Sequence, residues 1–509
     1  MTLRRVGVKF TGKSREEGCI RLAHYIGIDI GTSAIKAVIT DSAQNVVAER
    51  DAPLGISRPK PLWSEQNPAD WWAAVSGVLD GFAASVPQLM GRVQAIGLSG
   101  QMHGAVLLGA ALTPLRPAML WNDARTGAQA RELAIKHPHL AQRLGVMPMP
   151  GLTAPKIPWL AVHEPQILAK LHKILLPKDY IRLQLTGALV TDMSDAAGTW
   201  WLDQARRDWD DEALGIAGLS RAQMPDLVEG NAVSGYVRDD LARRWGFRSK
   251  VPVAGGGGDA AAGAVGVGAI NHGDAFVSMG TSGQLYVATR DYRPAPAMMV
   301  HAFCHALPQR WSQMGAMLSA ASCLTWAATM MGEDVTELAQ AVEAAYAGPT
   351  SLLFLPYLTG ERTPHNNPDA KGVLFGLTPD SGKLEVAQAV MEGVAFSFAD
   401  AALSLAQSGT RIDRVGAIGG GARSLLWLQM LANVLDVPVV RYAASARGPA
   451  FGAARLARLC ATGEAPEDIC TAPPVDLVVQ PDARLVAAYQ PRLERYRRLY
   501  VALKGEFEG

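Results

Sequence analysis

The chain begins, after a short basic stretch, with apolar segments separated by small polar turns. The segments YIGIDI, AIKAVIT and VVAER fill most of residues 25–50, and GTS and DSAQN separate them. β-Branched runs broken in this way predict three adjacent strands joined by tight turns. A helix carrying Trp71 and Trp72 should follow, and the segment VQAIGLSG predicts another buried strand that ends in glycine. Strands alternating with helices predict a layered α/β fold.

The second half of the chain repeats this order. The segment DAFVSMGTSGQLYVAT predicts strand, turn and strand, so that a Gly-Thr-Ser turn occurs in both halves. Two halves that reuse the same hairpin predict two related domains that face each other. We expect an N-terminal extension over 1–24, one domain over 25–270 and a second over 271–509. No long Ser/Gly or Pro linker separates the halves, so we expect them to be closely apposed.

Composition supports two domains and narrows the classes of partner. A chain of 509 residues is long for one core, and two domains of about 200–250 residues are expected. Net charge is +1 and no Lys/Arg tract stands out, which favours neither nucleic acid nor a membrane surface as partner. The five cysteines lack CxxC spacing, and no apolar run reaches the roughly 18 residues of a membrane span. We therefore expect a cytoplasmic enzyme.

The first Gly-Thr-Ser turn is a candidate phosphate and metal site. Backbone N–H groups of Gly31, Thr32 and Ser33, with the two hydroxyls, can hold phosphate oxygens at a hairpin tip. Asp29 ends the preceding strand and could hold Mg²⁺ beside them. The alternative is an ordinary turn whose Asp caps its own backbone. The second turn repeats the pattern and strengthens the phosphate interpretation, at Gly280, Thr281 and Ser282.

The segment GGGGDA places a carboxylate, Asp259, between an apolar strand and an Ala/Gly-rich helix. Asp259 could accept the proton of a substrate hydroxyl that attacks the γ-phosphate of a nucleotide, which is the task of a general base in phosphoryl transfer. The alternative is that Asp259 only caps the helix that follows. Spacing alone does not decide between the two.

Three further polar segments are candidates for ligand contact. Gln101, Met102 and His103 lie between glycines at a strand end, where side chains meet ligands, although a lone His is more often structural. The loop 361–367, ERTPHNN, either shapes a phosphate or sugar site or is a solvated turn. The run 419–421 could pass beneath a nucleotide base, since glycine has no Cβ, or could be a tight turn. Neither a P-loop nor a protein-kinase signature is present.

At this point the motifs identify a resemblance. The chain resembles the FGGY family of carbohydrate kinases, from residue 25 to about 504. The motifs that carry the resemblance are YIGIDIGTSAIK, PLWSEQNP, GLSGQMHGA, LWNDAR, LPKDYIRLQLTG, TDMSDAAGTWWLD, GTSG, FLPYLTGERTPHNNPDAKGVLFGLT and IGGGARS. The resemblance implies two ribonuclease-H-like domains, as in actin, Hsp70 chaperones and hexokinase, with a cleft between them. It also implies transfer of the γ-phosphoryl group of ATP, with Mg²⁺, to a small ketose.

The resemblance also implies roles for single residues. Asp259 matches the catalytic base, and Asp29 matches the acidic residue near Mg²⁺ and the transferred phosphoryl group. Met102 and His103 match the pair that lines the sugar pocket, and Gln101 and Trp63 are added as substrate-binding candidates. The second turn matches the second phosphate motif. The adenosine side is matched by Gly419, Gly420, Gly421 and Ala422.

Substrate and oligomeric state stay open at this stage. D-xylulose is the substrate that the motifs favour, and ribulose, another ketose, a polyol or glycerol are alternatives. A protein of another class, an ATP-driven conformational switch like actin, would need neither a sugar-facing His nor a base for an alcohol. Ala260, Arg447 and Phe451 depart from the family pattern, which expects Asn and smaller residues there. A homodimer is one alternative for the assembly.

Overall fold

The computed structural model describes residues 23–443 and 448–507. Residues 1–22 of the predicted extension 1–24, and Arg447, lie outside these described residues. Two mixed sheets form the centre of the molecule, one in each half of the chain. The α-helices are Pro68–Ser85, Pro87–Met90, Gly127–Lys136, Leu140–Leu144, Lys156–His163, Pro165–Leu168, Pro177–Thr186, Met193–Ala196, Asp211–Ile216, Asp239–Trp245, Asp259–Val267, Ala321–Met331, Val335–Ala345, Lys383–Gln407, Leu425–Leu435, Pro449–Thr462, Pro466–Ile469 and Ala483–Leu503.

The N-terminal sheet contains the three strands predicted from the opening pattern. Its strands are His24–Ile30, Ala34–Asp41, Val46–Pro53, Val93–Gly100, Val233–Tyr236, Pro252–Ala254 and Gly257–Gly258. Each of the first two pairs antiparallel with the strand that follows it, and Val93–Gly100 pairs in parallel with His24–Ile30. The predicted helix that carries Trp71 is present, and it is capped by Asn67 with Pro68 in its first turn.

The C-terminal sheet repeats this topology. Its strands are Ala275–Met279, Gly283–Thr289, His301–Cys304, Trp311–Met317, Val415–Ile418, Val439–Tyr442 and Val475–Val479. An antiparallel hairpin is again followed by a strand that pairs in parallel with the hairpin's first strand. The predicted Gly-Thr-Ser turns therefore occupy equivalent positions in the two sheets, and the expectation of a two-domain α/β fold is confirmed.

Small ladders and short helices surround the sheets. The ladders are Glu65–Gln66 with Ala118–Met119, Val106–Leu108 with Lys173–Leu175, Val190–Asp192 with Asp226–Val228, Leu202–Asp203 with Asp208–Trp209, and Leu353–Leu355 with Val373–Phe375. The 3₁₀ helices are Ala197–Thr199, Arg221–Gln223, Pro296–Met298, Gly420–Arg423 and Lys504–Phe507.

The helix Lys383–Gln407 is the central helix of the C-terminal core. By length and composition it could cross a membrane, but 83% of its most apolar window is buried inside the protein. It packs against the helices Ala321–Met331 and Leu425–Leu435. A buried core helix passes the same hydropathy test as a membrane span, and its burial accounts for its apolar sequence.

Two helices from different halves join the two sheets, and we call them the interface helices. They are Asp259–Val267 and Pro449–Thr462. They approach so closely that a Cβ built on Gly452 would lie 1.7 Å from the carbonyl oxygen of Ala262. The helix Pro449–Thr462 also lies on the N-terminal sheet, where Gly27 and Gly97 leave room for its backbone. The two halves are therefore closely apposed, as predicted.

Candidate active site

Strand pairing brings the two candidate carboxylates to one edge of the N-terminal sheet. Asp29 lies opposite Ser99 in the parallel ladder, and Gly258 lies opposite Gly100 one residue further along. Asp259 follows Gly258 directly and is the first residue of an interface helix. The carboxyl ends of neighbouring parallel strands are where α/β folds gather ligand-binding side chains. The structure therefore brings together two residues separated by 230 positions in the sequence.

Both carboxylates have unusual titration behaviour. Burial, and after it the charge of Asp259, raises the pKa of Asp29 to about 7. Burial raises the pKa of Asp259 to about 6. The backbone N–H of Ala260 has the opposite, smaller effect, because its hydrogen bond stabilises the ionised carboxylate. Gly258 holds the N-cap position, so Asp259 is the first helical residue, although its carboxylate accepts the N–H of Ala260 in the first turn. A buried carboxylate with a pKa close to neutrality is suited to accept a proton.

The surroundings of Asp29 fit a divalent cation. Its Oδ1 is buried and has no hydrogen-bond partner among the described residues. A cation there would relieve the repulsion between the two carboxylates. Within residues 23–443 and 448–507 no group of three or more His, Cys, Asp and Glu side chains could hold a metal. Mg²⁺ would therefore take most of its ligands from water and nucleotide phosphates, which is its usual mode of binding.

The tip of the first hairpin differs from the prediction in one respect. The hydroxyl of Thr32 donates its hydrogen to Oε1 of Gln101 at 3.0 Å, while the indole N–H of Trp121 donates to the same hydroxyl. Its hydrogen is therefore not available for a phosphate, contrary to the expected donor role. Ser33 is exposed, and the backbone amides of the tip are left as the other donors.

Gln101 lies behind the tip. Its Nε2 donates to Oε1 of Gln66 at 2.8 Å, and Gln66 in turn donates to the carbonyl of Thr32. The side chain is 2% exposed, so its polar atoms are engaged with the protein on at least two sides. We infer that Gln101 acts on ligands by fixing Thr32, and its direct contact with a substrate stays a prediction.

Met102 lies beside the residue that precedes Asp259, and His103 lies against Gly198. A Cβ on Gly258 would lie 2.8 Å from Sδ of Met102, so the side chain packs on the residue that precedes Asp259. Nδ1 of His103 lies 2.7 Å from the carbonyl oxygen of Gly198. A carbonyl only accepts, so Nδ1 carries the hydrogen and Nε2 is an acceptor. Burial lowers the pKa of His103 to about 3, which keeps the ring neutral.

Sequence reasoning missed the lysine that holds this segment. The ammonium group of Lys156 is fully buried and donates to the carbonyls of His103 at 2.6 Å, Met119 at 3.1 Å and Gly151 at 3.2 Å. Burial lowers the pKa of Lys156 to about 7. Three carbonyl acceptors satisfy its three donors. A lysine inside the apolar segment APKIPWL was the available signal, because lysine is rarely buried without a partner.

Trp63 packs in a neighbouring part of the N-terminal half. Its ring lies under the guanidinium of Arg125, with the Cζ 3.5 Å from the ring centroid, and meets the ring of Trp159 edge-on at 5.5 Å. It also lines a cleft of about 440 Å³ with Arg58, Lys60 and Asn122 among others. These contacts account for its burial without a ligand, so its substrate role stays a prediction.

The second hairpin and the glycine run meet at a cavity of about 890 Å³. A Cβ on Gly419, whose φ is +92°, would lie 2.8 Å from the carbonyl oxygen of Met279, so no larger residue fits beside this strand end. Gly420 faces open space, whereas Gly421 and Ala422 are buried beneath it. The cavity is lined by Met279, Gly280, Thr281, Ala321, Ser322, Thr325, Trp326, Thr329, Met330 and Gly420. Its volume is in the range of small-molecule sites.

One face of the helix Ala321–Met331 forms a wall of this cavity and was not predicted. Trp326 is 39% exposed and Met330 is 60% exposed, although both are apolar. The Trp326 ring stacks on Phe354 with centroids 5.8 Å apart. The sequence contained a signal for this face, because the residues of the pattern SxxTWxxTM recur at the three- to four-residue spacing of one side of a helix. An exposed apolar face that lines a cavity indicates a ligand with a flat apolar part.

The described departures from the family pattern have local structural roles. Ala260 supplies the N–H that bonds the carboxylate of Asp259 at 2.8 Å. Phe451 is buried in an interface helix, with the guanidinium of Arg455 4.7 Å from its ring centroid. Arg455 also donates to the carbonyl of Val265 on the facing helix. Phe451 therefore contributes to the interface between the halves.

Comparison with known proteins agrees with this geometry. The N-terminal domain of the FGGY family of carbohydrate kinases matches residues 24–266, and its C-terminal domain matches residues 275–460. The xylulose kinase of Escherichia coli strain K12 is 47% identical over 481 residues, which cover 94% of this chain and 99% of the relative. A solved structure from Brucella ovis, described as a xyloylose kinase, is 46% identical with a TM-score of 0.93 and covers 95% of this chain and 99% of its own.

A third relative shows how much the fold alone leaves open. The gluconate kinase of Lactobacillus acidophilus is 26% identical with a TM-score of 0.90, and the match covers 96% of this chain and 99% of that structure. Kinases named for different sugar substrates thus share the whole architecture. Matches to both family domains nevertheless leave no doubt about the family, and the chain is a member of the FGGY family of carbohydrate kinases.

Proposed function

We propose that this kinase transfers the γ-phosphoryl group of ATP to the terminal C5 hydroxyl of D-xylulose. The observation that carries the proposal is the pair of neighbouring carboxylates, buried Asp29 and partly buried Asp259, whose pKa values desolvation raises to about 7 and about 6. The names of the E. coli and B. ovis relatives support the choice of sugar. We propose residues 25–270 and 271–509 as the two domains and the cytoplasm as its location.

Asp259 would take the proton of the attacking hydroxyl. With a pKa of about 6, the carboxylate is mostly ionised at pH 7 and is still a stronger base than an exposed Asp. The N–H of Ala260 holds one of its oxygens, which fixes the direction of the other. General bases of this kind contribute about 10²–10⁴-fold in rate.

The remaining residues would position and neutralise the reactants. Asp29 would hold Mg²⁺, which when bound supplies positive charge to the nucleotide phosphates. Backbone amides of the tips 31–33 and 280–282 would donate to phosphate oxygens. The adenine of ATP would lie in the cavity beside Trp326 and Gly420. Met102 and His103 would contact the sugar. Positioning and electrostatics supply most of the acceleration in this reaction class.

A coupled assay of ADP release tests the proposal. The enzyme is assayed with Mg·ATP and D-xylulose, D-ribulose, L-ribulose, L-xylulose, glycerol or gluconate, beside the variants Asp259→Ala and Asp70→Ala. Asp70 is an exposed carboxylate in the first turn of a surface helix and serves as the matched control. We expect the highest kcat/KM with D-xylulose, a loss of at least 10²-fold in Asp259→Ala, and normal activity in Asp70→Ala.

Other results would separate the parts of the proposal. A higher kcat/KM with another sugar, with Asp259→Ala still inactive, would keep the mechanism and overturn the substrate. Gluconate is the specific alternative, because a gluconate kinase shares the fold over the whole chain. If no sugar raised ADP release above basal hydrolysis, the sugar kinase proposal itself would be refuted in favour of an ATP-driven conformational protein.

A further inference from the structure

The loop 361–367 is fixed by hydrogen bonds and anchored by three buried residues, Glu361, Thr363 and Asn367, so it is not a fully solvated turn. Glu361 and Asn367 exchange two backbone hydrogen bonds of 2.8 Å across its base. Thr363 donates from its hydroxyl to the carbonyl of Met299 at 2.8 Å, and that hydroxyl accepts the N–H of Ala316. Glu361 is 2% exposed and Thr363 is 1% exposed. Arg362 between them is therefore held by the C-terminal half with little freedom.

The side chain of Arg362 reaches the sugar-side wall of the N-terminal half. Its Cζ lies 5.9 Å from the ring centroid of Trp121, and a Cβ on Gly151 would lie 3.5 Å from its Nη2. Burial, and after it nearby positive charges that include Arg362, lower the pKa of His103 to about 3 and that of His301 to about 4. The guanidinium therefore lies close to the histidine that faces the proposed substrate.

The charge of Arg362 is not balanced by a carboxylate in the described part of the chain. No Asp or Glu oxygen there lies within 4.0 Å of its guanidinium. Burial raises the pKa of the adjacent Glu361 to about 8, so this neighbour is mostly protonated at pH 7. Burial also lowers the pKa of Arg362. Arg362 is partly exposed, so its donors remain open to a ligand, and a ligand that enters would supply the acceptor that these residues do not.

A buried polar group without a partner lies on the same wall. His301 is 3% exposed, and its Nδ1 has no hydrogen-bond partner among the described residues. It belongs to the strand His301–Cys304, whose next residue, Ala302, donates its N–H to the carbonyl of Gly145 at 2.8 Å. That bond joins the strand to the N-terminal half. Arg362 and His301 thus form a polar wall that the C-terminal half adds to the sugar side.

The wall and Asp259 contact different segments of the N-terminal half. Arg362 reaches Trp121 and Gly151, whereas Asp259 follows Gly258, on which Met102 packs. In an open-chain ketose, the C2 carbonyl and the C5 hydroxyl are likewise separated along the chain. With the C5 hydroxyl at Asp259 and a middle hydroxyl donating to Nε2 of His103, the carbonyl end would point toward Arg362.

We propose that Arg362 binds the carbonyl oxygen of the ketose and makes the site selective for ketoses over the corresponding polyols. The inference rests on the proposed function, because it assumes a ketose substrate. A guanidinium only donates hydrogen bonds and a ketone oxygen only accepts them. The two therefore match, because the ketone oxygen carries no hydrogen that would need an acceptor. A polyol places a hydroxyl there, whose own hydrogen needs an acceptor beside a donor-only group. An unpaired polar group at a buried site lowers binding.

Kinetics on D-xylulose and xylitol test this inference, because the two differ only at C2. We compare the wild type with Arg362→Met, Arg362→Lys and the control Arg293→Met. Arg293 is a C-terminal-half arginine that donates to the carbonyl of Gly409. We expect the wild type to favour D-xylulose at least tenfold in kcat/KM. Arg362→Met should lose about 10²-fold on D-xylulose and less than about threefold on xylitol, with Arg362→Lys intermediate and Arg293→Met unchanged.

The outcomes are distinguishable. Equal losses on both substrates in Arg362→Met, with the unfolding temperature and basal ATP hydrolysis unchanged, would overturn the inference and leave the proposed function intact. If Arg362→Met failed to fold, an unchanged preference in Arg362→Lys would overturn it in the same way. If the wild type phosphorylated neither D-xylulose nor another ketose, the proposed function and the inference would both fall.

Discussion

A methyl group added at Gly452 should push the two interface helices apart and disturb catalysis from a distance. The Cβ of Gly452→Ala would lie 1.7 Å from the carbonyl oxygen of Ala262, where ordinary contact begins at 3.4 Å. The helices must therefore separate by about 1.7 Å, because the opposing atom is backbone and no rotamer change relieves the overlap. Overpacking of this kind costs about 1–3 kcal/mol, and the better helix propensity of alanine offsets about 0.5–1 kcal/mol.

The magnitude translates into two measurements. The middle of these two ranges gives a net loss of about 1 kcal/mol, which should lower the unfolding temperature by about 2–4 °C in domains of this size. Asp259 begins the helix that Ala262 belongs to, so a shift of that helix also moves the base. Misplacement by about 1 Å can cost about 10²-fold in rate, so kcat should fall more than KM for ATP rises.

Differential scanning fluorimetry and steady-state kinetics on Gly452→Ala measure both effects. Gly77→Ala is the matched control, because Gly77 is an exposed helical glycine with no atom within 4 Å of its added Cβ. The control should gain about 0.5–1 kcal/mol and keep full activity. A Gly452→Ala variant as stable and as active as the wild type would refute the argument that these helices transmit the geometry of the interface to the base.

Three further predictions concern the site itself. The kcat/KM for the sugar should fall about tenfold per pH unit below about pH 6. Burial raises the pKa of Asp259 to about 6, and protonation below that pH would remove the proposed base. A pH profile that is flat from 5 to 7 would contradict this. Ser194→Ala should lower kcat about tenfold with little change in KM for ATP. Ser194 Oγ accepts the N–H of Gly258 at 3.2 Å and so fixes the residue before Asp259. An unchanged kcat would show that this hydrogen bond is dispensable. Trp326→Ala should raise KM for ATP about tenfold and leave KM for the sugar unchanged, as initial-rate measurements at fixed sugar would show.

Local pattern predicted most of the elements that build the site. The two Gly-Thr-Ser hairpins, the helix after Asn67-Pro68 and the strand before Gln101 all have signals within a few residues, because turns and caps depend on short-range chemistry. The helix Leu425–Leu435 was equally predictable, since Leu426, Met430 and Val434 recur at helical spacing and are buried. These are cases in which local preference and tertiary packing agree.

What the sequence could not supply is the set of contacts between distant segments. Thr32 was expected to donate to a phosphate, but its hydroxyl hydrogen is taken by Gln101, 69 residues away. Lys156 and His301 were missed because their roles depend on carbonyls and charges from other elements. The loop that carries Arg362 was ambiguous for the same reason, since polar composition alone cannot distinguish a buried loop from a solvated one.

The distribution of these groups between the halves explains why the enzyme would need both. The proposed base, Asp259, and His103 come from the N-terminal half, whereas Arg362 and the proposed nucleotide cavity belong to the C-terminal half. A sugar that bonds Arg362 and Asp259 together would favour the closely apposed arrangement of the halves, because only there are both ends satisfied. A water molecule cannot bond Arg362 and Asp259 together, so it would not favour this arrangement of the halves. Binding of the correct ketose would thus complete the site for transfer, and futile hydrolysis of ATP would be limited by the same requirement.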